Sequence, residues 1–383
     1  MACQATQNFR KEANSMEEFY WAALGAAKGA GTAQLLALVR AFGSAQNLYE
    51  AEEADILATG LVSAKVTAAF LESRKQNREF PEKLRERCER LHVSVIPVTS
   101  SSYPERLKRI QRPPAVLYVK GTLPDCRYSI GMVGSRLADA YGIKAAHFFA
   151  GRLVQAGVVI VSGGAKGIDT ASHQGALDGN GKTVAVLGCG VDIAYPPNNG
   201  MLFEKITEQG AVVSEYPPGT EPKPYYFPER NRIISGISLG LVLVQAASRS
   251  GALITAEFAA DEGRELFCIP GNIFSDKSAG SHKLIKEGAR LADSPEDVLQ
   301  ELFPELCGSA HSNLFAGPGD AAPFRVCSEA QRKVLDLLTG GPQTLDQLVT
   351  ATGWKVAETS VILLELQLKG FVQTDTAQRY VQI

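Results

Sequence analysis

Between Tyr128 and about Leu302 the chain alternates regularly between two hydrophobic periods, and this alternation limits the folds open to it more than any other feature. Short apolar runs fall at residues 130–133, 158–161, 184–187, 212–214, 241–244 and 266–269. Each is short and nearly continuous in apolar residues, the pattern of parallel strands covered on both faces. Between them lie helix-spaced segments such as Ala146, Phe149, Ala150 and Leu153, closed by Gly157, and residues 253–262, closed by Gly263. The alternation predicts an α/β fold built on a doubly wound parallel sheet.

Three glycine-bearing turns sit where apolar runs end: GMVGSR (131–136), SGGAKGID (162–169) and LGCG (187–190). A polar cluster, FPERNRIIS (227–235), follows downstream. Glycine admits backbone N–H groups close to an anion, and a following helix start adds partial positive charge. In an open parallel sheet such turns collect beyond the carboxyl ends of the strands. With Arg136, Lys166, Arg230 and Arg232 added, that edge reads as a phosphate-holding surface.

Each position also has a plainer reading. Arg136 can fork onto a phosphate or pair with a surface carboxylate. Gly163 and Gly164 allow close backbone approach, and Lys166 is placed to meet a phosphate. Asp169 reads as a first-turn acid that favours the helix dipole rather than as a catalytic group. Phe227 beside two arginines suits stacking against an unpaired base, while Asn231 can hydrogen-bond a base or cap a helix starting near Ile233. SGALITAEFA (250–259) offers another helix start, with Ser250, Gly251 and Thr255 as anion partners and Glu257 as a candidate carboxylate. His173 reads as structural. The pattern is neither G-x-x-x-x-G-K-[ST] nor G-x-G-x-x-G, which excludes a P-loop and disfavours dinucleotide binding.

The remainder divides by composition. Residues 1–16 read as a disordered tail, and 17–92 as a small helical module with a Lys28-Gly29-Ala30-Gly31 break. Residues 94–121 read as strand, turn, short helix and strand, opening the α/β domain at 93–302. Residues 303–328 are rich in glycine, proline and alanine and read as a linker. Residues 329–383 predict three helices and a hairpin, a winged helix. Its last helix has little basic character apart from Lys355 and Lys369, so it suits packing against protein better than entering a groove.

The formal net charge is −2, so nucleic-acid affinity has to come from a local cluster. Seven cysteines without a C-x-x-C pair and five isolated histidines imply no disulfide framework, no metal and a reducing compartment. The longest apolar stretch is too short to span a bilayer and no signal sequence is evident, which suggests a cytoplasmic protein.

GMVGSR, SGGAKGID, LGCGVDIAYP, SEYPPGT, FPERNRIISG, SGALITA and the IPG after Phe267 resemble, in order and spacing, the DNA-processing protein A family (DprA, also called Smf). The resemblance implies an extended Rossmann-like sheet, an N-terminal module of the SAM or helix-hairpin-helix kind and a C-terminal winged helix. It further implies a bacterial single-stranded DNA-binding protein of natural transformation that protects incoming strands and helps load the recombinase RecA. A homodimer without cofactor or enzymatic turnover is expected. The family's DNA-contacting arginine matches Arg136, its glycine loop Gly163 to Asp169, and its R-N-R element Arg230, Asn231 and Arg232. The DNA-binding set is then Gly134, Ser135, Arg136, Ser162, Gly163, Gly164, Lys166, Gly167, Phe227, Arg230, Asn231, Arg232, Ser250, Gly251 and Thr255. Pro197 stands where many relatives have a basic residue, and Lys166, Lys182 or Lys223 would have to compensate. A competing reading is a nucleotide phosphoribohydrolase-like enzyme on a related sheet, with Glu257 as its carboxylate.

Overall fold

The computed structural model describes residues 15–27, 29–307, 329–338, 341–368, 371–375 and 379–382. Lys28, Lys369, nearly all of the expected tail and residues 308–328 of the expected linker lie outside the described residues. Two compact units, residues 1–309 and 310–383, make up the chain.

The first unit begins with six helices: α1 (Met16–Ala26), α2 (Thr32–Phe42), α3 (Ala45–Glu50), α4 (Glu53–Ala58), α5 (Ala64–Gln76) and α6 (Phe80–Leu91). Local chemistry sets their ends. Gly43, at φ 80°, closes α2, and the Ser44 hydroxyl accepts from the Asn47 N–H to start α3. Phe19, Trp21, Leu24, Leu48 and Ile56 are buried in the same apolar cluster as the strands that follow, so helices and sheet share one core.

The sheet has nine strands in the order β1-β2-β6-β5-β4-β3-β7-β8-β9. They are β1 (Val93–Pro97), β2 (Val116–Gly121), β3 (Ser129–Val133), β4 (Val159–Ser162), β5 (Thr183–Leu187), β6 (Ala211–Ser214), β7 (Gly240–Leu243), β8 (Glu265–Cys268) and β9 (Arg290–Leu291). All six strands expected from the apolar runs form, each within one residue of its expected ends. Ile130 and Met132 of β3 enter one core layer, while Val133 enters the other. Val242 of β7 sides with Met132, and Leu241 and Leu243 face the opposite way. Two buried faces explain why these runs carry no polar alternation.

From β6 to β9 every neighbouring pair is parallel. The sheet is nevertheless mixed, because β2 runs antiparallel to β6 and β1 antiparallel to β2. β1 and β2 are joined without a long helical crossover, and such a connection returns the chain antiparallel.

The covering helices are α7 (Ala140–Gln155), α8 (Ile168–Asp178), α9 (Gly200–Gln209), α10 (Tyr226–Ile237), α11 (Ala252–Asp261), α12 (Ala279–Lys286), α13 (Pro295–Leu302) and the short α14 (Pro304–Cys307). Phe303, at the start of the expected linker, is fully buried against the sheet layer. His173 on α8 is likewise enclosed. The Thr183 hydroxyl donates to the Ile160 carbonyl, so His173 Nδ1, 2.7 Å away, donates to Thr183. Its other ring nitrogen is buried without a partner, and burial holds the imidazole pKa down at about 3.

The second unit contains α15 (Glu329–Leu338), α16 (Leu345–Thr352), α17 (Val356–Leu368) and an antiparallel hairpin of β10 (Val372–Thr374) and β11 (Tyr380–Gln382). This is the winged helix that the pattern predicts. Thr344 and Gln347 form a capping box at α16, and Gly353, at φ 74°, ends it. Val334, Leu348, Leu363 and Leu366 close its core, whereas Val361 and Leu364 on α17 remain exposed.

Candidate functional site

The loops after β3, β4, β5 and β7 emerge at one edge of the sheet, beyond the carboxyl ends of adjacent parallel strands. Arg136, in the loop after β3, is solvent-exposed. Its guanidinium carbon lies 5.4 Å from the ring centroid of Phe227, the second residue of α10. Tyr195, from the loop after β5, stacks on Phe227 with centroids 5.2 Å apart and planes inclined by 30°. Three elements distant in sequence therefore meet in one cation–aromatic stack.

The neighbouring loops are keyed to one another. The Ile168 N–H donates to the Ser135 carbonyl at 3.2 Å, and the Ser135 N–H donates to the Gln245 carbonyl at 2.7 Å. Gln245 is buried; it donates to Asp139 Oδ2 at 3.0 Å and accepts from the Asp139 N–H at 3.2 Å. Asp139 in turn caps α7 by accepting from the Gly142 N–H. Gly167 lies at φ 81°, and a side chain there would meet the Ser135 carbonyl at 2.3 Å. Glycine is required at this point both for its backbone angle and for the Arg136 loop to close down on it.

Lys166 is exposed on the adjoining loop. Arg230 belongs to the same place but not to its surface, a correction to the expected grip. It is 3% exposed and donates from Nη1 to the Gly163 carbonyl at 2.5 Å, beneath the glycine loop. Burial draws its pKa down to about 10, partly offset by the charge of Asp169. Asp169 is itself buried in the first turn of α8 and accepts from the Ala165 N–H at 3.2 Å. Desolvation raises its pKa, against the pull of Arg230.

Further expected contacts are also corrected by burial. The Ser162 hydroxyl donates to the Met132 carbonyl inside the sheet layer, and Thr255 is 1% exposed within α11. Gly163 and Gly164 are buried: a side chain on Gly163 would strike Arg230 and Asp169, and one on Gly164 would strike Phe203. These glycines are small to let the floor of the site close. Arg232 is bound to Glu215 at 2.7 Å, with both side chains less than a fifth exposed. Asn231 lies inside α10 rather than at a cap, because the helix begins at Tyr226, before the apolar spacing becomes evident. Gly134 and Ser135 are half-buried in the Arg136 loop. Ser250 and Gly251 reach the surface at the start of α11, where the Ser250 hydroxyl accepts from the Ala252 N–H. Of the lysines expected to replace the charge missing at Pro197, Lys182 precedes β5 and so lies at the opposite edge of the sheet. Lys223 is well placed, 5.6 Å from the ring centroid of Tyr226.

An aromatic row escaped the reading of the sequence. Tyr216 and Tyr226 lie with centroids 4.0 Å apart, and Tyr225 meets Tyr226 edge-on at 4.6 Å. Tyr195 and Tyr225 are 41% and 56% exposed, which leaves ring surface open for stacking. The signal was present as tyrosines interleaved with Lys223 and prolines at 216–227. Glu257 is exposed on α11, without the enclosure that tunes a catalytic carboxylate. Among the described residues no group of three His, Cys, Asp or Glu side chains could hold a metal ion. No described helix is long and apolar enough to cross a membrane.

Fold and site together define an α/β protein of Rossmann-like architecture, with a cation–aromatic cluster at the carboxyl edge of its sheet and a winged helix in its second unit. Residues 94–303 match the family described as DNA recombination-mediator protein A, and residues 319–377 match the DprA winged helix domain. The chain belongs to the DNA recombination-mediator protein A family. It is 32% identical to Protein Smf of Synechocystis over 96% of this chain and 99% of that one. It is 40% identical to Protein Smf of Escherichia coli, covering 73% and 74% of the two chains. The X-ray structure of DNA processing protein A from Streptococcus pneumoniae superposes with a TM-score of 0.65 at 35% identity, covering 75% of this chain and 98% of that one. A structure of DNA processing protein A from Helicobacter pylori, titled for its single-stranded DNA binding mode, gives 0.51 at 27% identity, covering 56% and 97%.

Proposed function

We propose that this protein binds single-stranded DNA without regard to sequence and acts in DNA processing during natural transformation. The observation that carries this reading is the exposed Arg136 seated over Phe227 and Tyr195, with Lys166 on the adjoining loop. A cation beside aromatic faces grips phosphate and base of an unpaired strand together, which a stacked duplex cannot offer. The relative from Helicobacter pylori, with its single-stranded DNA binding mode, supports the choice of ligand. Protection of incoming strands, loading of RecA, a cytoplasmic homodimer and the absence of enzymatic turnover complete the proposal, on the strength of family membership.

The test is a titration of the full-length protein with oligo-dT and with duplex of equal length at several salt concentrations. Tighter binding to the single strand is expected, with log affinity falling by about 0.7 per log salt for each phosphate held. Equal or better duplex binding would overturn the reading. Release of free base from nucleoside monophosphates would favour the phosphoribohydrolase instead.

A further inference from the structure

A second basic feature lies outside the family-matched region, on the last helix of the N-terminal module. Along α6, Lys83, Arg87 and Arg90 are spaced to share one face, and together they flank a cleft of about 300 Å³. Phe80 supplies an apolar wall from the helix, and Pro217 and Pro218, directly after Tyr216, supply the facing wall. Glu86 is the one carboxylate in the lining.

The cleft adjoins the aromatic row through Tyr216 on one side and Asp192 on the other. Tyr216, which leads into Pro217, packs on Tyr226, the residue before Phe227. From the other side, Arg87 reaches Asp192 at 3.4 Å, and Asp192 also accepts from the Gly219 N–H at 2.7 Å. Asp192 lies three residues before Tyr195, in the same loop.

The charges are only partly committed. Lys83 pairs with Glu79 in the open, a contact worth little. Arg87 keeps Nε buried without a partner while its Nη2 reaches Asp192. Arg90 is exposed, and no ion pair engages it among the described residues. Flat apolar walls with guanidinium groups at the rim suit a nucleotide, its base against Phe80 and the prolines and its phosphate at Arg87 and Arg90.

We propose that this cleft is an outer subsite for the same single strand, so that DNA runs from Arg136 past Tyr195, Phe227 and the tyrosine row to α6 of the N-terminal module. The inference rests on the proposed function and adds the route and a second anchoring point to it. The strand is favoured over an acidic peptide because the aromatic row runs up to the cleft from the Arg136 site.

The experiment compares full-length wild type with Arg90→Glu and with the double variant Arg87→Ala/Arg90→Ala. Binding is measured on oligo-dT of about 4 and about 16 nucleotides, the limits of common single-strand site sizes. On the longer strand the double variant should bind at least about tenfold more weakly, as expected for lost charge-assisted hydrogen bonds. Its salt slope should fall by about 1.4, or two phosphates. On the shorter strand, held at the Arg136 site alone, both variants should match wild type. Arg90→Glu, at an exposed and unpaired position, keeps the test valid if the double variant folds poorly. Unchanged affinity and slope on the longer strand for Arg90→Glu would overturn the outer subsite and leave the proposed function standing. Wild type that binds neither strand would overturn both.

Discussion

The guanidinium of Arg136 and the ring of Phe227 face each other at 5.4 Å across elements ninety-one residues apart, and Tyr195 stacks on the same ring. Arg136→Ala is expected to weaken oligo-dT binding by about 1.5–3 kcal/mol, the range for a hydrogen bond to a charged group. A gel-shift or filter titration measures it. Wild-type affinity in the variant would remove Arg136 from the site.

Phe227 contributes both a base-stacking face and a seat for Arg136. A double-mutant cycle of Arg136→Ala and Phe227→Leu on strand affinity should therefore show coupling of about 0.5–1 kcal/mol, as for exposed cation–aromatic pairs. Simple additivity would mean that the two residues act separately.

Gly167→Ala should damage the site without touching its charge. The new Cβ would overlap the Ser135 carbonyl at a backbone angle of φ 81°, so the Arg136 loop must shift. A stability loss of more than about 1 kcal/mol is expected from the incompatible backbone. Strand affinity should fall with it, read by denaturant melts and titration on the same preparation.

The buried His173 gives the first unit an acid-side weakness. Its pKa is about 3 folded against 6.5 for the free group. Between these values the unfolded chain binds more protons, so stability falls as pH is lowered through that window. Asp169 and Glu215, raised by burial, act in the opposite sense, losing stability as pH rises above their ordinary values. His173→Gln should thus flatten the acid-side decline relative to wild type. Parallel denaturant midpoints from pH 6.5 downward are the check.

Truncation after residue 309 removes the second unit and leaves every residue of the Arg136 stack in place. The shortened chain should keep oligo-dT affinity. Its loss would place part of the strand site on the winged helix.

Strands β3 to β8 were legible because burial on both faces writes an unbroken apolar run, and Arg136 because a glycine turn follows such a run directly. The antiparallel entry of β1 and β2 was not, since apolar content does not encode strand direction. Arg230 misled because charge on a page carries no depth: it looks like its exposed neighbours, yet the small volume of Gly163 admits it beneath the loop. Arg232 misled for a related reason, as its partner Glu215 is distant in the string but adjacent in space. The tyrosine row needed the folding of residues 188–227 over one edge, which no local pattern reveals.

β1, entered directly from α6, belongs to the same sheet as the strands that carry the Arg136 and Tyr195 loops. An unbroken ladder of backbone hydrogen bonds therefore ties β1, at the end of α6, to β3, at the start of the Arg136 loop. A polymer laid across both meets a gauge of set length, and it is the flexible partner, through its own sugar–phosphate torsions, that has to come into step.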